Sequence, residues 1–216
     1  MHRYLLVFLL LLPRPARADE AQDLVKKVQR VYDNVPSFSA DFEQATLSKM
    51  FGGAQQAAGK VVFKKPGKMR WTYLSPVTQE IISDGKSFWF YAPADKQVQV
   101  GDAGGFLKNR ASITFLAGKG QLSAEFNVAI GKAPEGAAPG TVLELTPKVE
   151  DPTAAKVLLI VDPKTGLVNE TWVFDFAKNA TRVRFTNADT KRKLKDDLFT
   201  FQVPPGVDIV KMPGTK

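Results

Sequence analysis

Few residues in this chain could do chemistry. His2 is the only histidine among 216 residues, and there is no cysteine. Past the leader described below, that removes Ser-His-Asp triads, cysteine nucleophiles and the usual zinc and copper ligand sets. Two carboxylate pairs stand out, Glu150-Asp151 and Asp196-Asp197. A glycosidase needs two carboxylates about 5–10 Å apart in a cleft. Adjacent residues on an extended chain point to opposite faces, so neither pair converges by itself, and solvated loops are the simpler reading. Gly52-Gly53 and Gly104-Gly105 lack the strand–helix context of a phosphate cradle. Lys64 to Tyr73 interleaves cations with aromatics, a pattern that could serve single-stranded nucleic acid. Met69, Trp71 and Tyr73 alternate away from Arg70 and Thr72, however, so the aromatics face inward. Neither enzyme chemistry, a metal, a cofactor nor nucleic acid is expected.

The elements that position these residues begin after a leader. His2 and Arg3 form a basic start, Tyr4 to Leu12 is a nine-residue apolar run, and Ala16-Arg17-Ala18 fits the small-x-small cleavage pattern. Nine residues cannot span a bilayer, which needs about 20. Residues 1–18 are therefore read as a signal peptide cut after Ala18, and 19–216 as one exported, soluble domain. Cleavage removes Arg3, Arg14 and Arg17 and no acid, so the formal charge of +8 falls by three, to +5. That mild excess is useful near anionic surfaces. The new N-terminus would be Asp19, not the cysteine that lipidation at an export signal requires. Without disulfides, the fold must rest on its core and hydrogen bonds.

From Asp19, a possible N-cap, Ala21, Leu24, Val25, Val28, Val31, Tyr32 and Val35 follow helical spacing, and Asn34 and Pro36 end the helix. Its apolar face needs a sheet to cover. Phe38, Ala40 and Phe42 alternate as a first half-buried strand, and Gly52-Gly53 reads as a mobile connection. Gly59 to Tyr91 reads as three antiparallel strands, with Asp84-Gly85 as a hairpin signal. Phe88 to Tyr91 is apolar on both faces, so it is buried twice over or one side meets a cavity. Gln97–Val100, Leu122–Ile130, Thr141–Thr146, Val157–Asp162, Val168–Phe176 and Thr181–Asn187 are further strands. Phe199, Phe201 and Val203 would close the sheet, and Val207 to Val210 could add an edge. The fold class is mainly β, about eleven antiparallel strands, large enough to curl toward a barrel. Ser112 could cap a short helix over Ile113 to Ala117 between Gly104-Gly105 and Gly118-Lys119-Gly120, readable equally as a lid or an ordinary crossover.

The apolar positions of these strands include Val61, Phe63, Met69, Trp71, Tyr73, Phe88, Phe90, Leu143, Leu145, Val157, Leu159, Trp172, Phe174, Val183, Phe185, Phe199 and Phe201. A filled core is one reading. One helix and one short segment cover a large sheet, so an incompletely filled concavity for an apolar ligand is the other.

Several stretches together resemble one family. They are Ser37 to Gln44 (SFSADFEQ), Gly59 through Lys64-Lys65-Pro66 to Trp71 and Tyr73, Ser83-Asp84-Gly85-Lys86 with Trp89 and Tyr91, and Phe199 to Val207 (FTFQVPPGV). In that order they are similar to the LolA family of periplasmic outer-membrane lipoprotein carriers. The resemblance implies an unclosed antiparallel β-barrel with a helical lid over an apolar cavity. It implies a monomer that takes lipoproteins from an inner-membrane ABC transporter and gives them to an outer-membrane receptor. The receptor shares the fold but is lipidated, and Asp19 argues for the carrier. Acyl chains would then lie against Val61, Phe63, Met69, Trp71, Tyr73, Phe88, Phe90, Trp172, Phe174 and Phe185, under lid residues Ile113, Phe115 and Leu116. The family often has Arg before the strand-ending Pro, holding the lid shut. Lys65 stands there, a softer latch because an ammonium lacks the planar fork of Arg. The alternative within the same fold class is a lipoprotein-sensing envelope-stress regulator, which would need a second domain for its signalling partner.

Overall fold

The computed structural model describes residues 16–48, 53–108 and 120–212. Among them the chain builds one twelve-stranded sheet whose order is β12-β6-β5-β4-β3-β2-β1-β11-β10-β9-β8-β7. Helix α1, Ala16–Asn34, comes first. It runs through Ala18, and residues 1–15 lie outside the described residues. The first meander is β1 (Ser37–Ser48), β2 (Gly53–Lys64), β3 (Lys68–Ser75), β4 (Gln79–Asp84), β5 (Ser87–Ala92) and β6 (Gln97–Asp102). After α2 (Ala103–Lys108) and α3 (Leu122–Glu125) comes the second. It consists of β7 (Phe126–Ile130), β8 (Thr141–Pro147), β9 (Lys156–Val161), β10 (Val168–Phe174) and β11 (Ala180–Asp189). Antiparallel pairing of β1 with β11 joins the two meanders, and β7 and β12 (Asp208–Lys211) remain as edges, so the sheet is unclosed.

Several expectations change here. Gly59 to Tyr91 holds parts of four strands rather than three. Gly53 to Gln56 is strand, not connection, because Leu47, Thr46 and Ala45 pair with Ala54, Gln55 and Gln56 and supply the ladder that this polar stretch does not advertise. Leu122 to Glu125 is a short helix before β7. Phe199 and Phe201 are not strand residues. Asp196–Phe199 is a 3-10 turn, and the chain from 200 to 207 crosses the sheet as a strap. That crossing carries the chain to the far edge, where β12 pairs with β6 in parallel, the one parallel pair of an otherwise antiparallel sheet.

The core lies on the concave face. Phe38, Phe42, Val61, Phe63, Met69, Trp71, Leu143, Leu159, Val183 and Phe185 form one buried cluster with Ala21, Leu24, Val25, Val28 and Tyr32 of α1. The amphipathic spacing of α1 thus meets the sheet it needs. Gly59 permits the closest strand approach. A Cβ there would stand 2.0 Å from the Thr72 carbonyl oxygen and 2.9 Å from the Phe42 ring, at the register shift between β2 and β3. The outer face carries a second cluster, Val142, Leu158, Ile160, Trp172 and Ala180, with Phe174 packed against it.

Candidate functional site

Strand β3 supplies the centre of the concave wall. Met69, Trp71 and Tyr73 point inward while Arg70 and Thr72 point out, as the alternation predicts. Val61 and Ile81 flank Trp71 on the neighbouring strands. The Trp71 ring meets Phe42 at 4.9 Å, Phe63 at 5.9 Å and Phe185 at 6.2 Å between centroids, the first two edge-on. Phe38 extends the wall from Phe63 and Phe185 toward Tyr32 of α1. Rings in edge-on contact contribute about 0.5–1.5 kcal/mol per pair beyond their burial.

Eight of the ten predicted wall residues share this face. Val61, Phe63, Met69, Trp71, Tyr73, Phe88 and Phe185 are buried in the concave cluster, and half-buried Phe90 packs against it. Trp172 and Phe174 do not belong there. The register of β9 and β10 shifts between Val168 and Glu170, so Val168 faces the concave cluster and Trp172 the outer one. Trp172 and Phe174 stack at 6.2 Å and 11° on the outer face, with the Arg182 guanidinium 5.8 Å from the Trp172 ring. Glu170 completes that region. It is fully buried, accepts from Trp172 Nε1 at 2.6 Å, and pairs with Arg184 Nε at 2.7 Å. Phe199 and Phe201 are also outside. Phe201 lies 5.1 Å from Tyr91 and 6.4 Å from Trp89, both outward-facing.

The residues missed as wall are Phe38 and Phe42 of β1 and the buried face of α1. Their signal was present, in the alternation Phe38, Ala40, Phe42 and in the helical spacing from Ala21 to Tyr32. What was missing was that the helix lies inside the concavity. Tyr32 fixes it there, its hydroxyl accepting from the Val168 N–H at 3.1 Å while burial raises its pKa.

Lys65 bonds α1. Its ammonium donates to the Tyr32 carbonyl in the last turn of the helix. Burial lowers its pKa, opposed by the charge of Asp33. The predicted lid residues Ile113, Phe115 and Leu116 lie outside the described residues. The two flanks of that connection start from the concave side, since Ala103 and Leu122 both belong to the concave cluster.

Asp196 and Asp151 of the two carboxylate pairs are each engaged locally. Asp196 is held by Lys64 at 2.7 Å and Lys68 at 2.9 Å, and Asp151 accepts from Thr153 in its own turn. Among the described residues no group of three His, Cys, Asp or Glu could hold a metal. A polar open groove of about 320 Å³ runs along the outer side of α1, lined by Lys26, Gln29, Arg30, Asp33, Asn34, Gln121 and Ser123.

An unclosed sheet cupping an aromatic wall under an amphipathic helix defines a class of binding protein, one whose apolar face needs a cover. The chain belongs to the family described as "Outer membrane lipoprotein carrier protein LolA", whose model matches residues 33–202. It is 31% identical over 214 residues to an outer-membrane lipoprotein carrier protein of Nitrosomonas europaea, covering 98% of this chain and 100% of that one. It is 29% identical to the carrier protein of Dechloromonas aromatica, covering 93% and 90%. Among solved structures, an uncharacterised conserved protein from Thermus thermophilus shares the fold with a TM-score of 0.55 and 11% identity, covering 88% of this chain and 98% of that one. No described helix is long and apolar enough to cross a membrane.

Proposed function

We propose that this protein is a periplasmic lipoprotein carrier. It takes acylated proteins from an inner-membrane ABC transporter, shields their acyl chains against the concave wall, and delivers them to an outer-membrane receptor. It acts as a monomer, without cofactor or catalysis, after a signal peptide is cut behind Ala18. The observation that carries this reading is the continuous apolar cluster shared by the sheet and α1. Each acyl CH₂ kept from water is worth about 0.8 kcal/mol, so a lipidated protein does not cross an aqueous space unaided. A concave wall of Phe, Trp and Met offers a surface of matching chemistry, covered by a helix when empty. Opening requires α1 to move off that wall. Lys65, which bonds the end of α1, then restrains the helix that covers the wall, and a Lys holds it more softly than an Arg fork would.

Purification of the untagged protein from its own periplasm, followed by mass spectrometry, tests the reading. Co-purifying lipoproteins with intact acyl chains, on a carrier that begins at Asp19, are expected. Recovery of the protein free of any acylated species, under conditions that trap carrier intermediates, would count against it.

A further inference from the structure

Trp71 is a buried donor without an acceptor among the described residues. It is 4% exposed, and its Nε1–H meets no hydrogen-bond partner there. Native cores rarely leave such a group unpaired, because a buried unsatisfied donor costs about 1–3 kcal/mol. The same molecule shows the ordinary arrangement at Trp172, whose Nε1–H meets a Glu170 oxygen at 2.6 Å. The rings of Phe42, Phe63 and Phe185 pack on Trp71, and Val61 and Ile81 stand beside it on the neighbouring strands. An N–H against an aromatic face is a second-order contact and does not replace a hydrogen bond.

The missing acceptor has a defined chemistry. It must arrive attached to an apolar chain, since the side chains packed on the Trp71 ring are apolar. It must be neutral, since a carboxylate among these rings would carry a desolvation cost that one N–H does not offset. We infer that Trp71 Nε1 is the binding-site donor for the carbonyl oxygen of an ester-linked acyl chain, so that the wall distinguishes acyl esters from ether-linked or purely hydrocarbon chains. This rests on the proposed carrier reading and adds a selectivity to it. The row Met69, Trp71, Tyr73 then divides its work. Met69 packs, Trp71 donates into the apolar surface, and the Tyr73 hydroxyl is held by Gln44 at 3.1 Å.

The test uses the 19–216 chain with ¹⁵N-labelled tryptophan and two soluble probes, dihexanoyl glycerophosphocholine and its dihexyl ether counterpart. The chain has three tryptophans, so the spectrum holds three indole signals, assigned through Trp89→Phe and Trp172→Phe, which leave Trp71 as the third. The Trp71 signal is expected to move downfield with the ester and not with the ether. The ester-to-ether affinity ratio is expected to fall by about three- to ten-fold in Trp71→Phe, the range of one neutral hydrogen bond. Equal shifts with both probes, or a ratio unchanged in Trp71→Phe, would overturn the inference and leave the carrier reading standing. Binding of neither probe would remove the acyl site and the inference with it. The wild-type spectra decide the point even if Trp71→Phe folds poorly.

Discussion

A cation beside the last carbonyls of a helix meets the negative end of the helix dipole, an interaction worth about 0.3–1 kcal/mol at a surface. Lys65 makes that contact with the Tyr32 carbonyl, and its neighbour Lys64 turns instead to the Leu194 carbonyl and to Asp196. Lys65→Leu should therefore speed amide exchange at the end of α1 and just past it, from Val31 to Val35, by about three- to five-fold. Lys64→Leu should leave those amides unchanged. Equal exchange in all three proteins would make Lys65 an ordinary surface charge. On the opposite face Glu170 is the residue with most to lose. Glu170→Ala leaves the buried Trp172 N–H without its acceptor and removes one partner of the part-exposed Arg184, which keeps the Gly136 carbonyl. An unsatisfied buried donor costs about 1–3 kcal/mol. Denaturant unfolding should show that loss while acyl binding by the folded fraction persists, because Trp172 faces away from the concave wall.

At the scale of elements, the segment from Lys191 to Val207, which ends in the strap, is tied down by charge and by rings. Asp196 bridges Lys64 and Lys68, and Arg70 donates to the Leu198 carbonyl at 3.1 Å. The two lysines hold the Asp196 carboxyl at about 2, against an ordinary 3.8. A folded-state pKa below the unfolded one gives a contribution that is present above about pH 4 and lost as pH falls through about 2. Acid titration should thus shift the emission of Trp89, which lies near Phe201, within that window. The shift should be absent in Asp196→Asn, and its persistence there would separate the strap from this carboxylate. The strap also shows where sequence stops being legible. Phe199 and Phe201 have the spacing of a strand, but no edge of the sheet was free beside them, so they cross the outer face instead. Trp172 and Phe174 read as wall residues until the register shift at Val168 and Glu170 reverses their direction. The β3 row was legible because polar and apolar residues alternate without interruption from Met69 to Tyr73. The polar start of β2 was not, since partner strand β1 and not its own side chains makes it a strand.

For the whole molecule, the two faces of one sheet carry different duties. The concave face presents Trp71 within a ring of phenylalanines beneath α1. The outer face is covered over β3 and β4 by the turn Asp196–Phe199, and at the Trp172 cluster by Ala137 and Ala138. The resemblance in the sequence implied a cavity and a lid, but only side-chain direction assigns the tryptophans to their faces. That assignment makes the central claim measurable with acyl chains brominated along their length, which quench tryptophan fluorescence only at contact. Two single-tryptophan proteins are compared, one keeping Trp71 (Trp89→Phe, Trp172→Phe) and one keeping Trp172 (Trp71→Phe, Trp89→Phe). On binding a brominated diacyl lipopeptide, the Trp71 protein should lose most of its fluorescence and the Trp172 protein almost none. Quenching of Trp172 with Trp71 unaffected would place the acyl chains on the outer face and contradict the account.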